Sequence, residues 1–316
     1  MNEVIEKIKN ARSVAVIPHI NEDPDALGSC CAFASVLRSM GKTAVIYISG
    51  AVEKRLDFIG GDYVIYDMNK KYSHDLCACL DCGDIKRLGN REKLFDEIGN
   101  SINIDHHSTN TYFADANHVD GNAAAAAEIL YTLFDEMGVK MNSEIARYLY
   151  IAIASDTGSF KYCNVSPKTM RVAAELLEYD FDNSEVSRRL FDCESLNGAL
   201  ISAEVTTGIR SYKGGKIRVV SVSDELYKKY NLEVKDVPNM VDIPRRIDGT
   251  EVAVCIKPQD GTMRINLRSN GDADVSKTAV KFGGGGHPRA AGCSIDAETI
   301  EEAEKLIVEA LKEVVE

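Results

Sequence analysis

At 316 residues the chain is longer than one hydrophobic core usually serves, so two domains are expected. Its 45% hydrophobic and 27% charged residues are those of a soluble globular protein and exclude disorder as the main state. A net charge of −12 argues against a surface that tracks long nucleic acid, a task that falls to Lys and Arg on phosphates. The charge is uneven: residues 1–204 hold 20 basic and 31 acidic side chains, residues 205–316 hold 17 and 18. The opening MNEVIEKIKN is charged where a secretory signal needs an apolar core, and no apolar run reaches the roughly 18 residues of a membrane span. Nine scattered cysteines, an odd number, fit reduced thiols, so a cytoplasmic location with no membrane partner is expected.

In chain order, residues 14–17 form an apolar run that reads as a strand, after which Leu27, Cys30, Cys31, Ala34 and Leu37 recur at helical spacing until Gly41. His19, Asp23 and Asp25 lie between the two, in the kind of strand-to-helix turn where open α/β sheets build their sites. Carboxylates and an imidazole without a thiol suit Mn, Fe, Zn or Mg, whereas helix capping explains one aspartate and leaves the histidine unexplained. Residues 44–48 and 63–66 read as further strands. Residues 76–80 run directly into Asp81, and residues 101–104 into Asp105, His106 and His107. Short apolar runs separated by helix-length segments predict a mainly parallel α/β sheet flanked by helices. Helices are expected over 123–137, from Asn142 or Ser143 to 155 with Asp156 delivered at its end, and over 168–178.

Across 180–203 the apolar pattern thins, which places a first domain at 1–182, a linker with one or two short helices at 183–204 and a second domain at 205–316. In the second domain residues 217–222, 251–257 and 263–268 read as strands. A helix over 274–282 leads into the glycines 283–286 and His287, and an amphipathic helix over 299–315 closes the chain. Glycines between a helix and the apolar 290–295 segment read as a loop held against structure, able to bring amides close to a phosphate, with His287 and Arg268 as further donors. Cys77, Cys79 and Cys82 form C-x-C-x-x-C, but no second thiol pair follows at zinc-finger spacing, so they read as a buried strand.

Four segments thus end in the same ligand chemistry: His19, Asp23 and Asp25; Asp81; Asp105, His106 and His107; Asp156. Two metals about 3.5–4 Å apart, bridged by a carboxylate, use contacts of this kind to activate water for in-line attack on phosphorus.

The ordered set HINEDPDALGS, LDCGD, IDHHS, SDTGSF, NLRS and FGGGGHPRAAG resembles the DHH/DHHA1 phosphoesterases over nearly the whole chain, and within them the stand-alone, NrnA-like oligoribonuclease and pAp phosphatase group. The resemblance implies an N-terminal DHH catalytic domain and a smaller C-terminal DHHA1 α/β domain that binds substrate across a cleft, with two divalent ions, Mn2+ expected. By motif position His19 and Asp23 would hold one ion, and Asp25, His106 and Asp156 the other, with Asp81 bridging. His107 would sit against the substrate phosphate as acid or electrostatic stabiliser, with Asp105 orienting its neighbours. Arg268, Ser269, Gly284, Gly285, Gly286 and His287 would grip the terminal phosphate and nucleotide.

The activity implied is hydrolysis of short oligoribonucleotides to mononucleotides, and of pAp to AMP; the alternative within the family is a c-di-AMP or pApA phosphodiesterase. Partners would be short RNA or small phosphorylated nucleotides, and a homodimer is compatible with the group. The family's first motif commonly reads Pro-Asp-Gly-Asp, whereas this chain has Glu22, Asp23, Pro24 and Asp25, which leaves the loop shape and the role of Glu22 open.

Overall fold

The computed structural model describes residues 1–233, 239–259 and 261–315. They form two compact units, Met1–Cys193 and Glu194–Glu316. The first unit runs α1 (Asn2–Asn10), β1 (Ser13–Ile17), α2 (Pro24–Ser39), β2 (Thr43–Ile48), β3 (Tyr63–Ile65), β4 (Leu76–Leu80), α3 (Glu92–Ile98), β5 (Ser101–Asp105), β6 (Ala116–Val119), α4 (Ala126–Glu136), α5 (Ser143–Asp156), α6 (Pro167–Leu176) and α7 (Asn183–Phe191).

Its sheet has the order β3-β2-β1-β4-β5-β6, and every neighbouring pair is parallel. The central strands are apolar throughout because both faces are covered. Val14 and Val16 of β1 and Leu76, Ala78 and Leu80 of β4 face a core shared with α2, α4 and α5. Ala15, Ile17, Cys77 and Cys79 face the other, with Tyr47, Leu88 and Leu94. The thiols of Cys77, Cys79 and Cys82 are therefore packing groups.

Strand addition reverses between β1 and β4, which opens a crevice at their carboxyl ends, the usual place for a ligand in such sheets. Helix α1 and strand β6 are additions to the elements expected from sequence. Val4, Ile5 and Ile8 form the buried stripe of α1, while β6 places only Ala116 fully in the core.

The second unit contains α8 (Leu196–Thr207), β7 (Arg210–Tyr212), β8 (Ile217–Ser221), α9 (Asp224–Lys229), α10 (Asp242–Arg245), β9 (Val252–Gln259), β10 (Thr262–Ser269), α11 (Val275–Lys281), β11 (Gly285–His287), β12 (Ala290–Ile295) and α12 (Ile300–Leu311). Its six strands follow β11-β12-β10-β9-β8-β7, parallel only at β8–β9. One face packs on α11 and α12, the other on residues of α8, α9 and α10.

The stretch 183–204 is helical on either side of the unit boundary: Val186 of α7 is buried in the first core, and Ile201 and Val205 of α8 in the second. The glycine run is a correction to the expected loop. Gly285–His287 is an edge strand paired with β12, and side chains at Gly284 or Gly286 would run into the β12 backbone. Among the described residues no helix is long and apolar enough to cross a membrane.

Candidate metal centre

At the carboxyl ends of β1, β4 and β5 the acids and histidines converge. His19, 3% exposed, turns Nδ1 to the Ile20 carbonyl at 2.7 Å, which commits that nitrogen as donor and aims Nε2 at the carboxylates. Nε2 lies 3.5 Å from an oxygen of Asp23 and 3.5 Å from one of Asp81. Asp23 serves two purposes, one with each oxygen. Oδ1 caps α2 by accepting from the Ala26 amide at 3.0 Å, and Oδ2 faces His19. Pro24 occupies the first turn of α2, where its fixed φ suits the helix and no amide is needed, so the departure from glycine leaves the turn intact.

Asp25 is fully buried. It accepts from Ser29 Oγ at 2.8 Å and from the amides of Ala126 and Ala127 at 2.8 and 3.3 Å. The cap residue of α4, Ala125, has no side-chain acceptor, and Asp25 supplies one from another helix. Burial, followed by the charge of Asp81, pushes its carboxyl up to about 7.

Asp81 follows β4 in a left-handed conformation, φ +54°, and is 2% exposed. Among the described residues no well-formed hydrogen bond reaches its Oδ1, which has only the His106 and His107 rings near it, at 3.4 and 3.6 Å. Burial opposes its ionisation, yet the His106 and His19 rings facing it hold the carboxyl well below the usual range. His106 turns Nδ1 to the Ala123 carbonyl at 3.3 Å, leaving Nε2 3.3 Å from Asp156, 3.4 Å from Asp81 Oδ1 and 3.9 Å from Asp25. Burial lowers both imidazoles, but the surrounding carboxylates more than offset it, raising His19 to about 10 and His106 to about 11. Burial and the charges of Asp25 and Asp81 push Asp156, the last residue of α5, well up.

Three sets of ligand atoms lie within 4.8 Å of one another: His19, Asp23 and Asp81; Asp25, His106 and Asp156; Asp81, His106 and His107. Buried acids that push one another up, histidines that present one nitrogen each, and a buried oxygen without a well-formed hydrogen bond fit a divalent cation of the oxygen- and imidazole-binding kind.

His107 differs from its neighbour. Its Nδ1 is bound to Asp105 at 2.7 Å, so Nε2 is the nitrogen left for a substrate. The Asp105 hydrogen bond raises the imidazole against the effect of burial. Asp105 is itself fixed by Asn110 Nδ2 at 2.6 Å.

Sequence reasoning missed the strut behind this site. Arg91, with no exposed surface, donates to Glu22 at 3.0 Å, to the Tyr47 carbonyl at 3.1 Å and to the Leu88 carbonyl at 3.0 Å. Glu22 also accepts from the amide and hydroxyl of Ser49. Arg91 thereby ties the segment after β4 to strand β2 and, through Glu22, to the turns that follow β1 and β2, and this gives Glu22 its role. Arg91→Met is expected to destabilise the fold by about 3 kcal/mol, because Glu22 loses its buried partner. Urea unfolding measures this; a loss below 1 kcal/mol would show that the strut is dispensable.

In the second unit Arg268 and Ser269 end β10, Ser269 being buried and Arg268 half-buried. Arg268 pairs with Ala290 and Ala290 with His287, so Arg268 and His287 share one row and one face of the sheet.

A family model described as the DHH family N-terminal domain matches residues 13–153, and one described as the DHHA1 domain matches residues 214–315. A Streptococcus mutans protein named "probable bifunctional oligoribonuclease and PAP phosphatase NrnA" is 31% identical, with 92% of each chain covered. This chain belongs to the DHH/DHHA1 family. Another relative, the Bacillus subtilis bifunctional oligoribonuclease and PAP phosphatase NrnA, is 28% identical over 93% of this chain and 92% of its own. The fold recurs in an exopolyphosphatase-related protein from Bacteroides fragilis, with a TM-score of 0.92, 24% identity and coverage of 99% of this chain and 95% of that one. It recurs more distantly in Thermus thermophilus RecJ in complex with Mn2+, with a TM-score of 0.56 and 14% identity over 99% of this chain and 54% of RecJ.

Proposed function

We propose that this chain is a metal-dependent phosphoesterase that hydrolyses short oligoribonucleotides to mononucleotides and pAp to AMP. The observation that carries the reading is Asp81: a buried carboxylate whose two oxygens face His19 at 3.5 Å and His106 at 3.4 Å, standing between the His19–Asp23 pair and the Asp25–His106–Asp156 set. In this reading His19, Asp23 and Asp81 would hold one divalent ion, and Asp25, His106 and Asp156, with Asp81, would hold a second. The mixed carboxylate and imidazole donors suit Mn2+. When bound, such ions neutralise phosphate charge and acidify a coordinated water.

The protein's own groups do the rest. Asp105 holds the His107 ring so that Nε2 can donate a proton or hydrogen bond to the phosphate and its leaving oxygen. Arg268 and His287, on one face of the second sheet, supply donors to a terminal phosphate. Of the other residues expected there, Ser269 is buried with its hydroxyl donating to the Gly271 carbonyl and the Gly284 amide donates to the Ala279 carbonyl, which leaves Gly285 and Gly286. The substrate class is supported by the names of relatives that match more than nine-tenths of this chain. A cytoplasmic location accords with nine free cysteines.

The test is a side-by-side assay with Mn2+ on RNAs from dinucleotide to twenty-mer, with pAp, pApA and c-di-AMP. Preference for the shortest RNAs together with release of AMP from pAp is expected. Turnover of c-di-AMP or pApA alone would move the protein to second-messenger breakdown, and silence on every substrate would end the enzymatic reading.

A further inference from the structure

Asp25, His106 and Asp156, the residues of one ligand set, come from separate parts of the first unit: the first turn of α2, the segment after β5 and the last residue of α5. Two of them hang on the short stretch 123–127 that leads into α4. His106 Nδ1 donates to the Ala123 carbonyl at 3.3 Å, and Asp25 accepts from the Ala126 and Ala127 amides. The stretch is itself held, because the Ala124 amide donates to Glu128 Oε2 at 3.3 Å. Glu128, 1% exposed, is fixed in turn by the Thr169 hydroxyl at 2.8 Å. His19 and Asp23, of the other set, are fixed elsewhere, by the Ile20 carbonyl and the Ala26 amide.

Asp156 reaches the same stretch through Asn164. Its carbonyl lies at the end of α5, where no later amide of the helix can serve it. The chain beyond turns back on itself: Gly158, Ser159 and Phe160 take φ of +54°, +60° and +61°, and the Lys161 amide donates to the Thr157 carbonyl at 2.9 Å. Asn164 is thereby returned to the helix end, where its Nδ2 donates to the Asp156 carbonyl at 3.1 Å and to the Ala124 carbonyl at 3.0 Å. Both partners only accept, so the amide has one workable orientation. Among the described residues its Oδ1 is buried without a hydrogen bond, which confines the bonding of this side chain to the two carbonyls.

We propose that Asn164 is a positioning residue for one ion of the two-ion reading above, on which the proposal rests: by joining the Asp156 backbone to the stretch that holds His106 and Asp25, it sets the spacing of those three ligands and leaves the His19–Asp23–Asp81 set alone. Such a tie has a physical reason. Asp25 and Asp156 are carboxylates that repel each other unless a cation lies between them, so their own interaction cannot keep them close. A donor that fixes the end of α5 keeps the ligands converged before the ion binds, and a preorganised site binds more tightly.

The test is calorimetric titration of Mn2+ into the metal-free full-length protein. Asn164→Leu, of similar size but with no donor, and the milder Asn164→Ser are expected to weaken one Mn2+ site by roughly tenfold or more, the range of a lost partner behind a metal ligand, and to leave the other at its wild-type affinity. Turnover falls at limiting Mn2+ and recovers at saturating Mn2+. On an Asp156→Asn background Asn164→Leu adds no further loss, because both act on the same site. Asn142→Ala is the structural control: it removes the cap at the other end of α5, which accepts from the Ile145 amide at 2.9 Å, and should lower the melting temperature while leaving both sites as in wild type. Two sites weakened alike in Asn164→Leu, neither weakened, or the same loss in Asn142→Ala would overturn the positioning role and leave the two-ion reading intact. A wild-type protein that takes up fewer than two Mn2+ would overturn both.

Discussion

Asp81→Ala is expected to lower turnover of short RNA by at least roughly a thousandfold, because the carboxylate common to two ligand sets is lost and with it several kcal/mol of charge stabilisation. The backbone of residue 81 stays paired, its amide donating to the Ile104 carbonyl at 3.0 Å, so the fold should survive. A second readout follows from mass action. Mn2+ at a hundredfold excess over its dissociation constant adds about 2.7 kcal/mol to wild-type stability, and Asp81→Ala should show little of that gain. Thermal unfolding with and without Mn2+ measures it, and activity equal to wild type in the variant would refute the assignment of Asp81.

His107→Asn should behave differently. Its expected effect is a fall of about 10²–10⁴-fold in kcat, the usual contribution of a positioned proton donor, with the Mn2+-induced stabilisation retained. The distinction matters because His107 Nδ1 also lies 3.6 Å from Asp81, in a set that could hold a cation. Loss of the Mn2+ effect in His107→Asn would make this residue a ligand. Asp105→Asn should fall in the same direction by a smaller factor, since the ring loses its orienting carboxylate but keeps its place.

The elements around the site were readable where burial and chemistry act locally. Strands β1, β4 and β5 are buried on both faces, so they show as short apolar runs; β4 and β5 lead directly into Asp81 and into Asp105 to His107, and His19 comes two residues after β1. Other features depend on distant partners. Helix α4 begins at Ala126 and not at 123 because the acceptor for its first amides is Asp25, 101 residues earlier in the chain. Strand β6 carries Asn117 and His118 where an apolar pattern would announce it, and β11 is two glycines and a histidine held by pairing to β12.

The ligand-capable residues were legible as types at strand ends, whereas their supports were not. Arg91 lies in a polar stretch that reads as surface, and only the fold shows that its charge is buried against Glu22 and two carbonyls.

The most direct test of the account is the stoichiometry of Mn2+ binding, measured by calorimetric titration of the metal-free full-length protein beside Asp81→Ala. Two equivalents per chain in the wild type, reduced to one or none in the variant, is the result expected of a two-ion centre joined by Asp81. One equivalent or none in the wild type, or two retained in Asp81→Ala, would contradict it.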